Sequence, residues 1–167
     1  MIIVFGNPRS GTTSMYHALC EMGYNSVFSC PISKPDEHMS IRELMYYATT
    51  DKTVHAVISW RLTDYYTELF NIYGAEGATY IYCYRSNKSK WAASMGQFGY
   101  SKEKIEEMWE RTMEFKTEIA PVNYLNTHMF DISNNGYPEL VKILQHDDFD
   151  PTRPFPHTNK SENLFQI

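Results

Sequence analysis

Two glycines, Gly6 and Gly11, bound a short loop whose backbone could bind an anion. The apolar run Ile2–Phe5 before the loop is typical of a strand, and the segment Thr13–Met22 after it has the spacing of a helix. Glycines allow a tight turn that presents several N–H groups, and the positive N-terminal end of the following helix also attracts negative charge. This pattern predicts a binding site for phosphate or sulfate.

The positive charge of this loop does not lie where a nucleoside triphosphatase needs it. A loop of the form G-x-x-x-x-G-K-[ST] requires a lysine directly after its second glycine, to reach the β- and γ-phosphates. Thr12 occupies that position here, and the charge lies at Arg9, two residues before Gly11. The sequence therefore disfavours an ATP- or GTP-binding loop of that type.

Residues 8–13, Pro-Arg-Ser-Gly-Thr-Thr, resemble the 5′-phosphosulfate loop of the sulfotransferase family. That loop has the form Pro-(Lys/Arg)-Ser-Gly-Thr-Thr, and the family takes its sulfuryl group from 3′-phosphoadenosine 5′-phosphosulfate (PAPS), leaving the desulfated nucleotide PAP. The resemblance implies PAPS as the cofactor and no required metal ion. It also implies that the loop binds the 5′ end of PAPS through Pro8, Arg9, Ser10, Gly11, Thr12 and Thr13.

Two later segments resemble the parts of the family that bind the 3′-phosphate of PAPS. In the family, an arginine ends a central strand and a serine follows eight residues later; here Arg85 fits, but Ser94 lies nine residues on, so Ser94 or Ser89 could take the serine's role. A polar loop late in the chain often closes over the 3′-phosphate and adenine. The segment 156–161 has that character, and the resemblance assigns Lys160 and Ser161 to the cofactor site.

Sulfuryl transfer needs a positive charge near the leaving phosphate and a base for the acceptor. Because the transition state is loose, as in phosphoryl transfer, positioning and electrostatics carry most of the catalysis. Arg9 is the candidate to neutralise charge that grows on the bridging oxygen. The family uses a histidine or a glutamate as the base, and Glu37 and His38 lie in the corresponding range; the choice between them stays open.

Alternating strand-like and helix-like segments predict an α/β fold. The resemblance implies a three-layer sandwich with a central, mostly parallel sheet, related to P-loop kinases. The predicted strands are Ile2–Phe5, Asn25–Cys30, Val54–Ser59, Thr79–Tyr84 and Leu125–Ile132. The predicted helices are Thr13–Met22, one that begins at Ser40, Thr63–Tyr73, Lys88–Met95, Ser101–Ile119 and Pro138–Leu144.

Composition favours one domain over residues 1–167, and the prolines of segment 148–167 indicate a loop. The resemblance implies that this loop closes on the cofactor site. The net charge of −5, with both signs interspersed, argues against a nucleic-acid partner. Three cysteines without metal-ligand spacing, no leader-like start and no apolar run of membrane-spanning length predict a cytoplasmic protein without a membrane span. The sequence does not indicate an oligomeric state.

The resemblance implies a sulfotransferase, and we expect it to act on a hydroxyl or amine of a small-molecule, carbohydrate or lipid acceptor. Two other classes stay open at this point. One is a P-loop nucleotide kinase or NTPase, which Thr12 disfavours. The other is a nucleotide-binding protein of the same fold without catalysis. The position of Ser94, nine residues after Arg85 where the family has a serine after eight, allows this class.

Overall fold

A computed structural model describes residues 1–29, 39–73, 77–121 and 126–157. Five parallel strands form one sheet in the order β2-β3-β1-β4-β5. The strands are β1 (Ile2–Gly6), β2 (Ser26–Phe28), β3 (Ala56–Ile58), β4 (Thr79–Tyr84) and β5 (Thr127–Asp131).

Helices connect consecutive strands, as parallel pairing requires. They are α1 (Thr12–Glu21), α2 (Ile41–Thr49), α3 (Tyr66–Tyr73), α4 (Lys88–Gln97), α5 (Lys102–Glu114) and α6 (Tyr137–Leu144). None of the helices in the described part of the chain is long and apolar enough to cross a lipid bilayer.

Both faces of the sheet are covered, which gives the predicted three layers. All five residues of β1 are buried, and the first four alternate between two apolar clusters. Ile2 and Val4 pack in the cluster that contains α1 and α6, whereas Ile3 and Phe5 pack in the cluster that contains α2 and α3. A strand buried on both faces is apolar throughout, which explains why Ile2–Phe5 shows no polar alternation.

Two predicted helices differ from the prediction in local geometry. The prediction Thr63–Tyr73 was too short, since a 3₁₀ helix over Trp60–Tyr65 precedes α3; the hydroxyl of Ser59 accepts a hydrogen bond from the Arg61 N–H at its start. The predicted helix Ser101–Ile119 is α-helical only to Glu114, and its last turn, Phe115–Ile119, is a π-helical turn.

The described part of the segment 148–167 packs against the body of the protein. The Phe155 ring is buried and lies 5.6 Å from that of Phe130 and 5.2 Å from that of Tyr137, between ring centroids. The Tyr137 hydroxyl donates to a Glu21 carboxylate oxygen of α1 over 2.6 Å. Residues up to 157 therefore belong to the layer formed by α1 and α6.

The connections that leave β1 and β4 run in opposite directions along the sheet. From β1 the chain passes through α1 to β2 at one edge, and from β4 it passes through α4 and α5 to β5 at the other edge. The carboxyl ends of β1 and β4 lie side by side, with Gly6 opposite Cys83. Such a change of direction opens a crevice at the carboxyl end of the sheet, where ligands bind in folds of this kind.

Candidate functional site

The loop between β1 and α1 has a backbone that glycine alone fits at two positions. Gly6 and Gly11 have φ angles of 149° and 100°. A Cβ on Gly6 would lie 2.2 Å from the Cys83 carbonyl oxygen, and one on Gly11 would lie 2.5 Å from a side-chain carbon of Ile132. Arg9, between them, has a φ of 63°, in the left-handed region. Steric crowding therefore explains why glycine occupies both ends of the loop.

The start of the loop is fixed by two hydroxyl-bearing residues from distant parts of the chain. Thr63 accepts a hydrogen bond from the Gly6 N–H at 3.0 Å and donates one to the Gly6 carbonyl at 2.8 Å. The Asn7 amide donates to the Thr112 hydroxyl of α5 at 2.7 Å, and also to the Met108 carbonyl. These buried hydrogen bonds join the loop to the 3₁₀ helix before α3 and to α5.

The middle of the loop lies on α4. The Trp91 indole N–H donates to the Pro8 carbonyl over 3.0 Å, and the ring itself is only 3% exposed. Trp91 is thus a structural support of the loop and is not available to stack on a nucleotide base. Its contact, like those of Asn7 and Thr63, links residues far apart in the chain and leaves no local signal in the sequence.

Helix α1 starts at the loop without a side-chain cap. Gly11 is its N-cap residue, and its first turn has no acidic residue. By contrast, the side chains of Ser40, Asn87 and Ser101 cap α2, α4 and α5. The positive end of α1 is therefore not compensated by a capping side chain, which suits an anionic ligand.

Two guanidinium groups, those of Arg9 and Arg85, lie beside this helix end. Arg85 Nε donates to the Arg9 carbonyl over 2.9 Å, and Arg9 Nε donates to the Ser94 hydroxyl over 2.9 Å. Burial and the nearby charge of Arg85 lower the pKa of Arg9, and burial lowers the pKa of Arg85. In the described residues neither side chain forms an ion pair with a carboxylate. Anionic groups bound beside these two side chains would offset both their desolvation and their mutual repulsion.

The structure distinguishes Ser94 from Ser89, the two candidates for the serine that binds the 3′-phosphate together with Arg85. Ser94 is half-buried on the side of α4 that faces Arg9, whereas Ser89 is exposed. Ala93, at the spacing that the resemblance favours, is exposed as well. The structure therefore brings Ser94, and not Ser89, into the group that contains Arg9 and Arg85.

Asp131 at the end of β5 is held by neighbouring donors. Its carboxylate accepts hydrogen bonds from the backbone N–H groups of Ser86 and Ser133 and from the side chain of Asn134. Burial raises the pKa of Asp131, but these hydrogen bonds outweigh burial and hold the pKa below its usual value. The carboxylate organises the turn that carries Arg85 and partly offsets the effect of burial on the pKa of that arginine.

A family model of the sulfotransferase domain matches residues 1–124, about three quarters of the chain. The chain belongs to this family. No curated protein sequence matches it significantly. The match covers the sulfotransferase loop at 8–13, Arg85 and Ser94, and it ends before β5.

Solved structures similar to this sulfotransferase-family protein include a gluconokinase from Sinorhizobium meliloti, at 18% identity and a TM-score of 0.48, with 87% of each chain covered. Another is the YorR protein from Bacillus subtilis in complex with phosphorylated GDP, at 14% identity and a TM-score of 0.46. That alignment covers 86% of this chain and 92% of YorR. At these scores the two structures carry no argument about function.

The hydroxyls of the sulfotransferase loop differ in their access to a ligand. Ser10 is 2% exposed, and its hydroxyl has no hydrogen-bond partner among the described residues. It lines a cavity of about 10 Å³ behind the loop, together with Asn7, Cys83 and Arg85. Its backbone N–H donates to the Asn7 carbonyl. Thr12 is buried and Thr13 half-buried in the first turn of α1. A cavity of this size has room for one ordered water or one oxygen atom of a bound anion, and either would give the Ser10 hydroxyl a partner.

Four predicted residues lie outside the described part of this sulfotransferase-family protein: Glu37, His38, Lys160 and Ser161. The segment that contains the candidate bases resumes at Met39. The Met39 N–H donates to the Ser29 carbonyl over 2.9 Å, and Arg61 donates to the Met39 carbonyl over 2.6 Å. Ser29 follows β2 at the carboxyl end of the sheet, the end at which the sulfotransferase loop lies.

In the described residues, no three His, Cys, Asp or Glu side chains come together in a way that could hold a metal ion. The two strands beside β1 are followed by Ser59 and by Arg85, neither of which carries a carboxylate. The site of this family member is thus built from cationic side chains, hydroxyls and a helix end.

Proposed function

We propose that this protein transfers a sulfuryl group from PAPS to a hydroxyl or amine of a small-molecule, carbohydrate or lipid acceptor. The observation that carries the proposal is the pair of guanidinium groups, Arg9 and Arg85, beside the uncapped end of α1. Arg9 belongs to the loop that matches the family, in which Thr12 occupies the position of the P-loop lysine, and Arg85 follows the neighbouring strand β4. This arrangement supports a ligand that carries two separate anionic groups.

We assign the 5′-phosphosulfate end of PAPS to the loop and to α1. Pro8, Gly11 and the backbone around them give the loop its shape, and Ser10, Thr12 and Thr13 supply donors for the phosphate oxygens. Arg9 neutralises the charge that develops on the bridging oxygen as the bond to sulfur breaks. Because the transition state is loose, this electrostatic contribution is the main catalytic one.

We assign the 3′-phosphate of PAPS to Arg85 and Ser94, with Lys160 and Ser161 completing the site. The Ser94 oxygen accepts the hydrogen bond from Arg9, so its hydroxyl hydrogen stays available to donate to a phosphate. Asp131 holds the Ser86 N–H directly after Arg85, and its negative charge favours the charged form of that arginine. A nucleotide without a 3′-phosphate makes none of these contacts, and this is the basis of the expected selectivity.

Glu37 or His38 removes the proton from the acceptor in this proposal. Both precede Met39, which is anchored at the carboxyl end of the sheet by Ser29 and Arg61. A histidine base would lose activity as pH falls through its pKa, near 6.5 in the absence of perturbation, and a glutamate base only at lower pH. The acid limb of the activity profile of Glu37→Gln and His38→Gln variants separates the two.

Thermal unfolding with PAP, ADP and Mg²⁺–ATP at equal concentrations tests the proposal. A ligand at one hundred times its dissociation constant stabilises the folded state by about 2.7 kcal/mol. We expect PAP to raise the unfolding temperature clearly, and ADP and Mg²⁺–ATP not to raise it. Arg85→Ala removes a charge-assisted contact and should weaken PAP binding about 10- to 100-fold, whereas Arg42→Ala, on the exposed side of α2, should not change it.

Stabilisation by Mg²⁺–ATP and not by PAP would contradict the proposal and favour a nucleotide kinase. Selective binding of PAP without sulfuryl transfer from PAPS to any hydroxyl or amine acceptor would favour a nucleotide-binding protein without catalysis. Binding of PAP together with transfer of ³⁵S from labelled PAPS to an acceptor pool would support the complete proposal.

A further inference from the structure

An exposed aromatic ring lies against the catalytic arginine of the loop. Phe98 directly follows the last residue of α4 and is 54% exposed, so it contributes little to the apolar core. The Arg9 guanidinium carbon lies over this ring, 4.3 Å from its centroid. This distance is within the range of a cation–π interaction, which arginine makes more often than lysine because its guanidinium group is planar.

The orientation of Arg9 is fixed from two directions. Its backbone has the left-handed conformation, with a φ of 63°, which directs the side chain from the loop towards α4. There its Nε donates to Ser94, and the face of its guanidinium group lies on Phe98, four residues further along. A guanidinium group has five N–H donors, and the Nε contact uses one. Within the described part of the chain, the four N–H groups of the terminal nitrogens make no hydrogen bond and can bind an anion.

We propose that Phe98 is a positioning residue that orients the Arg9 guanidinium group towards the sulfuryl donor. The inference rests on the proposed function, because that function supplies the anion that Arg9 faces. An arginine free to rotate must lose side-chain entropy when it binds, and a stacked arginine has lost part of it in advance. The stack also gives a reason for arginine, and not lysine, in the second position of the loop motif.

The proposal is distinct from a direct contact between Phe98 and ligand. If Phe98 acts through Arg9, its removal changes binding only while Arg9 is present. If Phe98 instead touches the nucleotide or the acceptor, its removal changes binding in either background. A double-mutant cycle separates these two cases.

The cycle measures PAP affinity in four proteins: wild type, Phe98→Leu, Arg9→Gln and the double variant. We expect Phe98→Leu to weaken PAP binding about two- to fivefold in the wild-type background. In the Arg9→Gln background the same change should have no further effect. Phe98→Tyr keeps the ring and should restore wild-type affinity, and Tyr46→Leu, which removes an equally exposed ring on α2, should leave affinity unchanged. Equal losses in both backgrounds would overturn the proposal.

A measurement without ligand tests the stack independently of the proposed function. In a ¹H–¹⁵N spectrum, the Arg9 Nε–H signal, identified by its loss in Arg9→Gln, should be shifted by the ring current of Phe98. The shift should disappear in Phe98→Leu and persist in Phe98→Tyr. If wild type fails to bind PAP, the proposed function fails, and this spectrum still decides separately whether Phe98 holds the Arg9 guanidinium group. An unshifted signal in wild type would refute the positioning role.

Discussion

Gly11 shows at the scale of one residue how little freedom the loop leaves. We predict that Gly11→Ala lowers the free energy of unfolding by about 2–4 kcal/mol, because the new Cβ must overlap Ile132 and the backbone is left-handed. Gly23→Ala is the matched control. Its φ is 88° but nothing lies within 4 Å of its Cβ position, so only the backbone cost of about 1 kcal/mol should remain. Urea denaturation of both variants measures the difference, and equal losses would contradict the steric argument.

Residues that act through local sequence could be predicted, and those that act through distant contacts could not. Arg9 and Arg85 follow strands and belong to motifs, so their positions at the end of the sheet were predictable. Asn7, Trp91 and Phe98 owe their roles to partners between 80 and 110 positions away, or to the exact turn at which α4 ends. Spacing in one sequence carries no information about such partners.

At the scale of elements, the turns after β4 and β5 are joined by one carboxylate. We predict that Asp131→Asn lowers the free energy of unfolding by about 2 kcal/mol at pH 7, because it replaces the charged acceptor of three hydrogen bonds. The folded-state pKa of Asp131 is lowered, so its contribution is complete above the unfolded value near 4 and is lost as pH falls through the folded value.

Chemical denaturation of wild type and Asp131→Asn between pH 7 and pH 3 tests this prediction. The difference between the two proteins should be largest at neutral pH and shrink at the acid end. Asp148→Asn, at an exposed position, serves as the control and should show a small difference at every pH. If the difference in unfolding free energy between wild type and Asp131→Asn stays constant with pH, the negative charge of Asp131 does not stabilise the turn.

Element boundaries followed from the sequence where a cap or a breaker marks them. The helix predicted to begin at Ser40 has Ser40 as its N-cap, and Ser40 and Glu43 form both hydrogen bonds of a capping box. The 3₁₀ helix before α3 and the π-helical turn after α5 were not predictable, because they depend on tertiary contacts. Phe115, at the start of the π turn, stacks on Tyr82 and contacts Phe5 edge to face, and this packing fixes the backbone there.

At the scale of the whole molecule, the chain after α6 belongs to the folded body. We predict that Phe155→Ala lowers the free energy of unfolding by about 3 kcal/mol, because the buried ring fills space between Phe130 and Tyr137. Tyr46→Ala, at an exposed ring, should change it by less than about 1 kcal/mol. Similar values for the two variants would show that the segment is not docked in solution.

The fold class was predictable, and the order of the strands was not. Alternation of strands and helices indicates a parallel sheet, and burial of β1 on both faces follows from its apolar run. The position of β1 between β3 and β4 arises from how the helices pack on the two faces. That position creates the crevice where the loop, Arg85 and Ser94 meet. The sequence placed the loop and Arg85 after neighbouring strands, but the geometry of their meeting required the structure.

Because Trp91 is hydrogen-bonded to Pro8, tryptophan fluorescence can monitor the loop. The emission of Trp91 is sensitive to its hydrogen bond with the Pro8 carbonyl. The Trp91 ring centroid lies 5.8 Å from that of Trp109 on α5. Two of the three tryptophans of the chain therefore lie near the loop. Replacing Trp60 alone would leave an emission spectrum that arises from this pair. Loading of the nucleotide could then be timed in a stopped-flow instrument without a label, before any acceptor is known.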